Sequence, residues 1–271
     1  MSSQFDLLHT RRFAPFFGTQ FLGAFNDNLF KNALVVLLTF HAASWTTMSP
    51  EVLSNVAAGI FMLPFFLFSA TAGQLADKYD KAKLARLVKL LEMVIMAVAL
   101  LGFSTQSLEV LLTALFLLGL HSTLFGPVKY AILPQHLRED ELVGGNALVE
   151  AGTFVAILIG TLAGGLLAGA AGHPNWVAMA GLLVAALGYL CSRGIPTAPP
   201  PVPELVVSLN PLSETWRNIG FARQNRTVFL SILGISWFWL YGALFLAQFP
   251  AYAKNVLGGS ETSVTLLLAV F

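Results

Sequence analysis

Residues 26–32 read Asn26-Asp27-Asn28-Leu29-Phe30-Lys31-Asn32: an acid, a base and three amides inside an otherwise apolar stretch. On a helix, positions four apart share a face, so Asp27 and Lys31 are expected within pairing reach. Such a face offers a carboxylate to a cation, an ammonium to an anion, and the amides of Asn26, Asn28 and Asn32 to hydrogen-bond beside them. It suits a zwitterionic or ion-coupled solute. It equally suits a neutralised pair that pins one helix to its neighbour. Each charge left in hydrocarbon costs about 3 kcal/mol or more, so the cluster must face protein or a water-filled path.

Two further stretches carry polar residues. One holds His121, Ser122, Thr123, Lys129 and Tyr130 around a Gly126-Pro127 break, and another holds Ser231, Ser236, Trp237, Trp239, Tyr241 and Gln248. His121 reads as a proton carrier or as a satisfied packing residue. Glu150 is expected beside Lys129 or backbone donors, as an ion pair or as a gate. Lys89 and Glu92 are expected to snorkel from a span end to the headgroups. Gly160/Gly164 and Gly165/Gly169 are small-xxx-small pairs that permit close helix approach. The chain has no Gly-rich phosphate loop, no H-E-x-x-H and no G-x-S-x-G. His136 followed by Arg138-Glu139-Asp140-Glu141 reads as a solvated loop, not an acyltransferase motif. Cys191 is the only cysteine, which excludes an internal disulfide and a thiolate metal site, and no metal or cofactor is expected.

The elements that must position these residues are membrane spans. The 271 residues are 56% hydrophobic and 11% charged with a mean hydropathy of +0.73, far from the composition of soluble proteins. The formal net charge of +1 gives no footing for nucleic acid. Seven stretches are long enough to cross a bilayer: 14–40, 53–76, 84–103, 109–133, 143–169, 175–193 and 227–250. The first runs past signal-peptide length and lacks a small-residue exit, so it stays in the membrane. Residues 194–226 form the one long loop, opening with Pro196, Pro199, Pro200, Pro201 and Pro203, which stiffen an extended chain. Behind it, 212–222 predicts an amphipathic surface helix with Leu212, Trp216, Ile219 and Phe221 toward the membrane and Glu214, Arg217 and Arg223 in water. The apolar run at 262–271 is half a span long, which predicts a truncated chain.

Lysine and arginine set the orientation. With the N-terminus inside, the cytoplasmic side holds Arg11, Arg12, Lys78, Lys81, Lys83, Arg86, Arg138, Arg193, Arg217, Arg223 and Arg226, and the external segments 41–52, 104–108, 170–174 and 251–261 hold only Lys254. The first, fourth and seventh spans are the polar ones. One polar helix in every three suggests three-helix units, each giving one helix to a central cavity.

The second-to-third turn, Gly73-Gln74-Leu75-Ala76-Asp77-Lys78-Tyr79-Asp80-Lys81-Ala82-Lys83, resembles the major facilitator signature G-x-L-A-D-[RK]-x-G-[RK]-[RK], departing from it at Asp80 and Ala82. The resemblance implies that Gly73, Asp77, Lys78 and Lys81 form a conformational switch, with Asp77 capping and pairing at the cytoplasmic side. Gln20-Phe21-Leu22-Gly23-Ala24-Phe25-Asn26-Asp27-Asn28 and Leu124-Phe125-Gly126-Pro127-Val128-Lys129-Tyr130-Ala131-Ile132-Leu133-Pro134 are similar to the lysophospholipid transporter branch of that superfamily. That resemblance implies an all-α polytopic membrane protein of the bacterial inner membrane: a six-helix bundle over 1–193, an inter-half loop over 194–226, and the start of a second half over 227–271. It implies inward flipping of lysophospholipid, chiefly lysophosphatidylethanolamine, with an acyltransferase or acyl-carrier-protein synthetase as partner or fused domain. Asn26, Asp27, Asn28, Lys31, Asn32, His121 and Lys129 would then meet the headgroup, and Phe30, Trp237 and Tyr241 the acyl chain. Gly126, Pro127 and Glu150 would gate. Two rivals remain at this point: a proton-coupled exporter of small molecules in which Asp27 titrates, and a polytopic enzyme of lipid metabolism using Asp27 and His121.

Overall fold

Each apolar stretch becomes a helix whose ends are set by local chemistry. The computed structural model describes residues 4–41, 45–169, 174–208 and 210–270, and every regular element among them is helical. In chain order these are α1 (Ala14–His41), α2 (Pro50–Lys78), α3 (Lys81–Thr105), α4 (Leu108–Ala131), the short α5 (Leu133–His136), α6 (Leu142–Gly169), α7 (Asn175–Arg193), α8 (Pro211–Arg223), α9 (Arg226–Asn255) and α10 (Glu261–Val270). Parts of the expected external segments 41–52 and 170–174, and Phe271 of the last apolar run, lie outside the described residues.

Side-chain caps start the helices by satisfying free N–H groups. Ser49 accepts from the Val52 N–H with Pro50 in the first turn of α2, Ser107 accepts from Val110 at the head of α4, and Asn225 accepts from Thr227 and Val228 at the head of α9. Gln106, left-handed at φ 53°, stops α3.

Among the described residues, six helices meet both the length and the composition of a membrane span. The expected seventh, α1, has the length at 28 residues, but its Asn, Asp and Lys residues lower its hydropathy. It compensates by position. α1 packs along α6 and α7 and also touches α2, α4, α9 and α10, so its polar side chains meet protein. α2 packs along α4, and α3 lies between α4 and α7. Lipid is as apolar as leucine, so these seams rest on close packing rather than on a hydrophobic drive. Gly160 and Gly164 of α6 show it: a Cβ there would stand 2.4 and 2.3 Å from the Phe25 and Leu29 carbonyl oxygens of α1.

The Pro-rich segment is extended and docked. Ala198 accepts from the Lys81 N–H and donates to Asp80, Val202 donates to the Asp77 carbonyl, and Ser208 donates to Gln74. Arg86 and Gln135 hold the Ile195 and Pro199 carbonyls. α8 then lies on α2, and here one expectation is corrected. Glu214 is turned inward and buried, with its charge met by Arg217 at 2.5 Å, while Leu212, Trp216 and Phe221 are exposed.

Candidate functional site

The polar face of α1 divides its labour. Asn28 donates back to the Ala24 carbonyl at 2.8 Å and Asn32 donates to the Thr161 carbonyl of α6 at 2.8 Å. Asn26 donates to Glu92 on α3 at 2.6 Å. The three amides therefore tie α1 to itself and to its neighbours, and each is buried. Phe30 is also fully buried, edge-on to Phe103, and so does not face a cavity.

Asp27 and Lys31 do not form the expected pair. Asp27 accepts a hydrogen bond from the Ser122 hydroxyl and stands 3.8 Å from Nδ1 of His121, both on α4. The Lys31 ammonium sits 5.2 Å above the Phe61 ring of α2 and has no carboxylate within 4 Å among the described residues. Tertiary neighbours on α4 and α2 override the local four-residue spacing. The Asp27 side chain retains 13% exposure, whereas Glu92 retains none.

Behind Asp27 lies a group that sequence reasoning placed at the headgroups. Lys89 and Glu92 do not snorkel: both are fully buried and form an ion pair three residues apart on α3. Glu92 also stands 3.1 Å from Nε2 of His121. Room for the lysine comes from glycines, since a Cβ at Gly188 of α7 would stand 2.8 Å from its Nζ and one at Gly23 of α1 3.3 Å. Those two glycines, facing a charge pair in adjacent spans, were the available signal. The result is one polar set across α1, α3 and α4: Asn26, Lys89, Glu92 and His121 are buried, and Asp27 and Ser122 are half-buried beside them.

A second polar group lies toward the other end of α4, which runs through Gly126 and Pro127 to Ala131. Lys129 donates to Thr153 of α6 at 2.9 Å and stands 3.4 Å from Glu150, which accepts from the Tyr130 hydroxyl at 2.6 Å. Trp237 and Tyr241 lie on α9, 70% and 56% exposed, and no hydrogen bond joins them to Asp27 or Lys31 among the described residues. Their neighbour Trp239 stacks on Phe154 of α6, rings 6.4 Å apart.

At the second-to-third turn the capping role expected of Asp77 falls to Asp80, one of the positions where the chain departs from the signature. Asp80 accepts from the Lys83 N–H at the head of α3. No ion pair within 4 Å joins Asp77 to Lys78, Lys81 or Lys83 among the described residues. Lys78 lies 5.8 Å from the Tyr79 ring, Lys81 is buried, and a Cβ on Gly73 would meet open space. The loop at 136–141 is exposed at Arg138, Glu139 and Asp140, and Glu141 anchors it. Arg12 forks onto Glu141 at 2.5 and 2.6 Å and donates to the His136 carbonyl, and its hydrogen bonding to the Glu141 carboxylate pushes Arg12 above the ordinary guanidinium range.

This arrangement places an anion, Asp27, and a cation, Lys31, on adjoining turns of α1. Proteins named lysophospholipid transporter LplT match 92% of the chain: that of Enterobacter sp. (strain 638) at 29% identity over 255 residues, and those of Salmonella heidelberg (strain SL476) and Salmonella typhimurium (strain LT2) at 30% and 31% over 259. The chain spans 59% of the length of these curated relatives. The model of the Major Facilitator Superfamily matches residues 16–271. The helical bundle, the membrane-capable spans and these likenesses converge: the chain belongs to the major facilitator superfamily.

Proposed function

We propose that the full-length protein is a secondary transporter that carries lysophospholipid, chiefly lysophosphatidylethanolamine, inward across the bacterial inner membrane. The observation that carries this reading is the separation of Asp27 from Lys31. Opposite charges on adjoining turns, each held by other groups, leave Asp27 for a headgroup ammonium and Lys31 for its phosphate. Asn26, Asn28 and Asn32 hold the helix that presents them, and Lys129 offers a second cation further along α4. The exposed Trp237 and Tyr241 of α9 give the acyl chain an aromatic wall. Transport proceeds by rocking of the six-helix unit over 1–193 against the unit that begins at 227. Gly126 and Pro127 bend α4, Glu150 releases Lys129, and Gly73, Asp77, Lys78 and Lys81 change partners at the cytoplasmic side, where the N-terminus lies. An acyltransferase or acyl-carrier-protein synthetase, separate or fused, reacylates the imported lipid. The names of the relatives support the substrate class.

The test uses the full-length parent gene in cells unable to import lysolipid. Uptake of labelled lysophosphatidylethanolamine is compared between wild type and Asp27→Asn at matched membrane abundance. Uptake that depends on Asp27 is expected. No uptake by well-inserted wild type sinks the lysolipid reading.

A further inference from the structure

Resting on the alternating-access reading and its orientation, we propose that Lys254 is the bolt of an external gate, fastening α9 to the end of α1 and closing the molecule to the outside. α1 ends at His41, so the carbonyls of its last turn have no further helical N–H to accept from. Lys254 of α9 donates to one of them, the carbonyl of the buried Thr39, at 2.6 Å, and sits 5.3 Å from the Phe40 ring. An ammonium at a helix C-terminus also meets the negative end of the helix dipole. The same residue is the one lysine or arginine in the expected external segments, where positive charge is disfavoured. Capping another helix gives that lysine a use.

Other contacts follow the same line. Gln248 donates to Asn55 of α2 at 3.0 Å, and Asn255 donates to Glu51 in the first turn of α2. Glu261 at the head of α10 stands 3.3 Å from Nε2 of His41. Ala251 and Ala253 of α9 and Val264 and Thr265 of α10 are buried, and the Thr265 side chain fills the space that Gly165 of α6 leaves. The other end of α9 differs: residues 230–241 are exposed throughout, with Trp239 stacked on Phe154. α9 is therefore held to α1 and α2 near its C-terminal end. Rocking about a midplane site closes one mouth as the other opens, so these are the contacts that must part. A hydrogen bond from a charged donor is worth more than one between neutral groups. Lys254 accordingly carries most of the hold.

The experiment uses full-length protein with its native cysteines replaced, Cys191 among them, and Lys31→Cys as the reporter. Lys31 lies about 12 Å of helix before Thr39 on α1, so a reagent from outside reaches it only past the bolt. Labelling by a membrane-impermeant maleimide is timed in intact cells and in inverted vesicles, with Lys254 and with Lys254→Met. Loss of the charge-assisted hydrogen bond is expected to speed labelling from outside about tenfold and to slow it in inverted vesicles. Lys254→Arg, which still donates, should stay near the parent rate. Equal rates with Lys254 and Lys254→Met at matched membrane abundance overturn the inference. Faster labelling from both sides, the mark of a loosened bundle, overturns it too. A second arm holds the gate shut: Asn55→Cys/Gln248→Cys is expected to form a disulfide on mild oxidation and to stop lysophosphatidylethanolamine uptake until reductant is added. Uptake undiminished by complete cross-linking overturns the inference. No uptake by the well-inserted, reduced protein sinks the lysolipid reading alone, because the labelling arm needs no substrate.

Discussion

Arg12, two residues before α1, and Glu141, one residue before α6, are joined by two hydrogen bonds of 2.5 and 2.6 Å across 129 positions of sequence. α1 and α6 are the pair whose backbones approach through Gly160 and Gly164. The fork therefore fixes the N-terminal entry of a seam that glycine closes deeper in. Arg12→Ala and Glu141→Gln are each expected to lower the unfolding midpoint, and the double variant to lower it no further than the worse single. Additive losses in that cycle would mean that the fork carries no coupling.

Gly164→Val is expected to cost more than either. The new Cβ would stand 2.3 Å from a backbone oxygen that cannot move without the whole of α1. Overpacking of this kind costs about 1–3 kcal/mol or more, read as a lower midpoint and lower membrane abundance. A Gly59→Ala control, at a position open to space, should leave both unchanged.

Lys89→Met leaves Glu92 buried without its counter-charge. The expected loss is about 3–5 kcal/mol, and Lys89→Met/Glu92→Leu should recover much of it. Thermal unfolding in detergent decides. A single variant as stable as wild type would show that the pair is hydrated in the membrane.

Lys31→Gln should reduce uptake of lysophosphatidylethanolamine about tenfold, the worth of one charge-assisted contact at about 1.5 kcal/mol. Lys31→Arg should retain most of it. Because Lys31 joins no ion pair among the described residues, neither change should lower membrane abundance; equal uptake in all three would remove Lys31 from the site.

The spans were legible because length and apolarity are local properties, and the polar face of α1 stood out against them. Partners were not legible. The spacing of Asp27 and Lys31 points along one helix, whereas their contacts come from α4 and α2, whose rotation about their axes depends on the whole bundle. Lys89 and Glu92 near a span end look like snorkelling residues until Gly23 and Gly188 are seen to make space for them. Glu214 was misplaced for the same reason. The periodicity of α8 describes two faces, but contact with α2 decides which one is covered.

The docked Pro-rich segment changes the mechanics of the molecule. A free loop over 194–226 would be a slack tether, letting α9 drift at will. Instead the chain is fastened to α2, α3 and α5 as far as Ser208, and α8 lies on α2 to Arg223. Only Gln224 and Asn225 then separate α8 from α9. That joint is a fulcrum, and α9 is a lever mounted on the first six spans rather than a float tied to them.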